Sequence, residues 1–179
     1  SDRERLTRLI EELRKLLEKW EREVKKINDE IRRTVEKVEE DSKKSIEDLR
    51  RLLKEMEDRG SVDEEMRKRV EEVERRNEKV LRDLRETLKK VHEDNKKITR
   101  EVRERVKEVE KRLEDLRRRQ EEDTKDLERR IEDVIRRLKK LADDDLRDLR
   151  RFLKELKERA DKLRKEDEEA LKELRDRAE

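Results

Sequence analysis

The chain has 179 residues, of which 64% are charged, 28% hydrophobic and 1% aromatic, with one Gly and no Pro, Cys or Tyr. Its 58 Lys and Arg nearly cancel its 56 Asp and Glu, which leaves a formal charge of +2. This composition excludes the many tight turns of a sandwich or α/β fold, a disulfide framework and a thiolate metal site. Apolar residues never run more than two in a row, too short for a transmembrane helix or a signal-peptide core.

So low a hydrophobicity matches the composition of disordered chains, but the order of the residues points elsewhere. The first predicted element, about 2–59, carries Leu6, Ile10, Leu13, Leu17, Trp20, Val24, Ile27, Ile31, Val35, Val38, Ile46, Leu49, Leu53 and Met56 in steps of three and four, with Ser42 in the one gap. The mean step is about 3.6 residues, the α-helical period. Gly60 then reads as the left-handed residue past a helix end. Ser61 and Glu64 read as a capping box that opens the next helix. Ser1 and Glu4 repeat that box and predict a helix start.

The second element, about 62–119, continues the pattern with Val62, Met66, Val70, Val73, Val80, Leu84, Leu88, Val91, Ile98, Val102, Val106, Val109, Leu113 and Leu116. Its end is less marked. Arg117-Arg118-Arg119 followed by Glu121-Glu122-Asp123 suits a helix C-terminus meeting an N-terminus, with Asp123 or Thr124 as cap. Lys139-Lys140 before Asp143-Asp144-Asp145 offers the same charge logic. Neither site has a Gly, and the helical phase runs through both, so one long helix from Ser61 onward is the third reading. The turn at 120–123 divides the chain into three nearly equal lengths, as an antiparallel bundle requires. The third element is then about 123–178, with Leu127, Ile131, Val134, Leu138, Leu141, Leu146, Leu149, Leu153, Leu156, Ala160, Leu163, Ala170, Leu174 and Ala178 on its seam.

These seams predict an all-α fold: one long, antiparallel, coiled-coil-like three-helix bundle over 1–179. Eleven-residue steps such as Ile27 to Val38 move the period toward 3.6 and predict nearly straight helices. Ser42, Asn77, Asn95, Gln120, Thr124 and Asp167 occupy slots where the phase calls for an apolar residue. Folding at the two turns brings Ser42, Asn77 and Asp167 toward one level, and Asn95 toward Asn28 and Asp145 or Asp148. Two readings follow. Either these groups form buried polar layers that fix register, or they sit at the seam edge and bond to water.

No motif for catalysis, cofactor or metal appears, and no site residues are predicted. His92 is the single His; Glu93 follows it, but position 96 is Lys, so the zinc motif His-Glu-x-x-His fails. Asp143-Asp144-Asp145 lacks the spacing of a calcium loop, and no Gly-rich phosphate loop exists. Basic residues are interleaved with acids, as in Glu71-Glu72-Val73-Glu74-Arg75-Arg76, which suits ion pairs on solvated faces rather than a nucleic-acid surface. Trp20 and Phe152 are the only aromatics, and Trp20 reads equally as core or as a spectroscopic handle.

Long helices of Glu, Arg, Lys and Asp around a Leu/Ile/Val seam, the Gly-Ser-x-x-Glu turn and the polar slots Ser42, Asn77 and Asn95 together resemble de novo designed helical bundles over the whole chain. The resemblance implies designed hydrogen-bond networks at those slots and no natural activity. The function expected is a monomeric structural scaffold with no enzymatic or ligand-binding activity, no cofactor, no nucleic acid and no membrane. The alternative is an assembly module that self-associates or takes a partner helix, for which the doublets Leu16-Leu17, Val80-Leu81 and Phe152-Leu153 widen the seam.

Overall fold

Leu, Glu, Lys and Arg are strong helix formers, and with the 3.6-residue apolar period they form three α-helices. In the computed structural model, which describes residues 2–119 and 124–178, these are α1 (Asp2–Asp58), α2 (Glu64–Arg119) and α3 (Lys125–Ala178). No strand occurs among the described residues. The fold is a three-helix bundle. Ser1, with its capping box, and Gln120 and Asp123 lie outside the described residues.

The connection between α1 and α2 is set by Gly60, whose φ is +68°. The Gly60 N–H donates to the Glu57 carbonyl and the Ser61 N–H to the Met56 carbonyl, each at 3.0 Å. This pair of bonds is the Schellman arrangement, which satisfies orphan carbonyls of the last turn. The expected capping box at Ser61 and Glu64 is corrected here. The Ser61 hydroxyl turns back and donates to the Met56 carbonyl at 3.1 Å. Asp63 is the cap instead: its Oδ1 accepts from the Met66 N–H at 2.8 Å, and its carbonyl accepts from the Arg67 N–H. Asp63→Ala is therefore expected to lose about 1 kcal/mol, whereas Glu64→Ala changes the denaturation midpoint little. Equal losses from both would restore the Ser61 box.

The first candidate for the second turn, 120–123, lies outside the described residues, between the end of α2 and the start of α3. α2 stops at Arg119, and α3 runs without a break through Asp143, Asp144 and Asp145. Two helices thus replace the single long one. The Thr124 carbonyl accepts from the Glu128 N–H at 2.9 Å, but its buried hydroxyl has no hydrogen-bond partner. Thr124 starts α3 without capping it through its side chain.

The chain divides into two compact units, Ser1–Asn28 with Lys90–Arg151, and Asp29–Lys89 with Phe152–Glu179. Each helix lends a stretch to each unit. Helix directions can be read from the ion pairs. In the first unit Arg14 meets Glu110 at 3.0 Å and Arg103 meets Glu21 at 2.9 Å. Residues rise along α1 as they fall along α2, so the two are antiparallel. Arg5 meets Glu128 and Lys139 meets Glu12, so α1 and α3 are parallel. In the second unit Arg85 pairs with Glu39, Arg50 with Glu74 and Arg67 with Glu57. There α3 runs against α2, with Arg69 on Glu173 and Arg76 on Glu166. Such exposed pairs contribute only about 0.2–1 kcal/mol each. They report register more than they hold the fold.

The apolar seams hold it. In the second unit Leu49, Leu53 and Met56 of α1, Met66, Val70 and Val73 of α2, and Ala170 and Leu174 of α3 form one cluster. Full burial of side chains of this size is worth about 1.5–3 kcal/mol each. In the first unit Leu6, Leu13 and Ile131 are almost fully buried. Trp20 is core, at 2% exposure. Two details differ from the sequence seam. Ile135 is buried while its neighbour Val134 is only half-buried, because the step from Ile131 to Ile135 keeps the inner face. Between Leu84 and Val102, Asn95 is the one buried residue of α2; Leu88, Val91 and Ile98 are half-buried.

Candidate functional site

The breaks in the apolar phase fall on the buried faces of the helices. Ser42, Asn77, Asn95 and Asp167 accordingly all have 6% exposure or less. In the second unit α2 and α3 bring Asn77 to Asp167. The Asn77 amide Nδ2 donates to Asp167 Oδ2 at 3.0 Å. Arg76, one residue earlier, reaches Asp167 Oδ1 at 3.3 Å and lies 3.2 Å from Glu166. The Arg76 Nε–H is not aligned for a hydrogen bond on Glu166, so that contact is an ion pair only. Ser42 is buried too, but Asn77 Oδ1 has no hydrogen-bond partner, so the Ser42 hydroxyl does not reach it. Burial raises the pKa of Asp167; the Asn77 bond, then Arg76, pull it back, and Glu166 pushes it up.

The first unit holds a less satisfied group. Asp145 of α3 is buried, and its Oδ2 has no hydrogen-bond partner. Trp20 of α1 faces it. The indole N–H is near enough to lower the Asp145 pKa, yet it makes no hydrogen bond of regular geometry, so Nε1 also stays unpaired. Burial is the larger influence and raises the Asp145 pKa, with Asp148 adding to the rise. Asn28 Oδ1 and Asn95 Oδ1 lack partners as well. The Asn95 backbone carbonyl does accept from the Thr99 hydroxyl at 2.8 Å.

The polar slots were readable in the sequence as breaks in the seam. Arg76 and Glu166 were not. Their signal is that each precedes a slot residue, so the facing dipeptides Arg76-Asn77 and Glu166-Asp167 meet as units. The sequence places Asp145 inward, toward Asn95 and Asn28, but does not pair it with Trp20, which reads there only as core or a spectroscopic handle.

A groove of about 550 Å³ lies elsewhere, in the second unit between α1 and α3. Val38 and Ala160 line it, and the small Ala160 side chain opens it. Its rim is largely self-paired: Lys157 on Glu30 at 2.9 Å and Arg164 on Asp161 at 3.3 Å. Its one hydroxyl, that of Thr34, donates to the Glu30 carbonyl at 2.8 Å. His92 is half-buried. Among the described residues, no group of three or more His, Cys, Asp or Glu could hold a metal ion. Nor is any helix long and apolar enough to cross a membrane.

No protein-family model matches the chain, and no curated protein or solved structure shows significant similarity to it.

Proposed function

We propose that the chain is a structural scaffold of the designed helical-bundle kind, monomeric and without catalytic activity. The observation that carries this reading is the completeness of burial: among the described residues, no large hydrophobic side chain is exposed. The three coiled-coil-like seams consume one another. On this reading the polar inserts Ser42, Asn77, Asn95 and Asp167 exist for register. They cost stability and specify which faces meet. The bond between Asn77 and Asp167 supports it.

The second reading, an assembly module, draws on the half-buried Leu16, Leu17, Val80, Leu81, Leu88 and Val91. Light scattering over a wide concentration range separates the two. A constant mass of 22.4 kDa is the scaffold's result. Twice that mass, or a melting temperature that climbs with concentration, replaces it with the assembly module.

A further inference from the structure

Across the α2–α3 interface of the second unit, Arg69 meets Glu173 and Arg76 meets Glu166, each at 3.2 Å. Thirty-six residues further along α2 stand Arg105 and Arg112, and thirty-six residues back along α3 stand Arg137 and Arg130. That interval is about ten whole turns, so the helix faces are the same. Where one unit sets Arg against Glu, the other sets Arg105 against Arg137 and Arg112 against Arg130. All four arginines line one groove of the first unit, of about 230 Å³, over Val109 and Leu127. It adjoins a second groove that shares Arg112 and Arg130 and adds Arg119, with Asp115 and Asp126 beside them.

Of these four arginines, Arg137 alone forms an ion pair among the described residues. Glu108 and Asp133 also border the groove, two acids against four arginines, and Asp133 is held by Arg136 at 3.7 Å and Arg137 at 3.4 Å. Among the described residues, Arg105, Arg112 and Arg130 form no ion pair. Facing like charges add nothing to the fold, and the other unit shows the arrangement that would. Guanidinium groups on both walls of one groove suit a tetrahedral oxyanion, since each can give two parallel N–H bonds. A protein partner fits less well, because no large hydrophobic side chain is exposed for it to cover.

We propose that this α2–α3 groove is a binding site for phosphate-type oxyanions. A condensed phosphate spans both rungs, which lie about 10.5 Å apart along the helix. The inference goes beyond the scaffold reading, and at this one surface it replaces the expectation of no ligand. It holds whether the chain is a monomer or an oligomer.

The test is calorimetric titration of the full chain with inorganic tripolyphosphate, joined to melting curves in tripolyphosphate and in sodium chloride of equal ionic strength. Saturable binding is expected, with a rise in melting temperature that chloride does not give. Inorganic phosphate is expected to bind about tenfold or more weaker, since it fills one rung at a time. Arg112→Gln removes one fork and is expected to weaken tripolyphosphate about tenfold. Arg85→Gln, outside the groove and paired with Glu39, leaves the affinity unchanged. The double variant Arg130→Glu, Arg137→Glu is expected to lose the response and to melt above the parent without anion. An equal rise in chloride, or undiminished affinity in Arg112→Gln, overturns the proposal.

Discussion

Replacing Asp145 with Leu is expected to stabilise the protein at neutral pH by about 1–3 kcal/mol, the range for a buried polar group left without a partner. The native side chain is 8% exposed, its Oδ2 is unpaired, and no cation lowers its pKa. Leu removes the buried charge and leaves Trp20 Nε1 no worse off, since that N–H makes no regular bond now. The pH profile gives a second reading. A carboxyl whose folded pKa lies above its ordinary 3.8 binds its proton more tightly in the folded state. Its stabilising contribution is full below the ordinary value and is lost as pH rises through the folded one. Asp167 is raised as well. The parent is therefore expected to be more stable in mild acid than at pH 7, the reverse of a protein held by exposed carboxylates. Toward lower pH the 56 acids neutralise while the 58 cations remain, and self-repulsion takes over. Denaturant titrations at pH 5 and pH 7 check this. The slope between them should shrink in Asp145→Leu, with Asp167 supplying the remainder. A less stable variant, or an unchanged slope, would contradict it.

Trp20→Ala is expected to lose about 3–5 kcal/mol, the range for emptying a large aromatic site in a close-packed core. Trp20 is the largest side chain of the α1 seam and is 2% exposed. Trp20→Phe separates ring from N–H. It keeps most of the apolar volume, so its loss should be well under that of Ala. It also removes the one group that pulls the Asp145 pKa down. The Phe variant should therefore show a steeper gain in stability on mild acidification than the parent. A loss in Trp20→Ala within the range of exposed sites, below about 0.5 kcal/mol, would mean that Trp20 is not core.

Most of the fold was legible because it is periodic. Steps of three and four from Leu6 to Met56 fix a helix and its buried face at once, and a lone Gly before Ser marks where it stops. The polar slots were legible by the same device, as breaks in a rhythm. Two kinds of feature escaped. Ser61 and Asp63 both suit an N-cap, and the choice depends on whether Ser61 finds a better acceptor, here the Met56 carbonyl behind it. The arginine rungs escaped because their members are 18 and 32 residues apart in the chain. Local counting saw only cations diluted by acids, while the facing of Arg112 and Arg130 exists only once α3 folds back on α2.

The Arg–Glu pairs between α1 and α2 carry a further consequence. The cation is sometimes on α1, as in Arg14 and Arg50, and sometimes on α2, as in Arg103 and Arg67. Slide one helix by a heptad in one direction, and Arg14 faces Arg103 while Arg50 faces Arg67. Slide it in the other, and Glu21 faces Glu110 while Glu57 faces Glu74. Each unit thus carries a parity check on alignment, and each check reads errors of both signs. A seam of aliphatic side chains in steps of three and four distinguishes a partner slipped by seven residues only weakly from the right one. The alternating charges make every such slip repulsive, so a misaligned hairpin is inclined to come apart before the core can close on it.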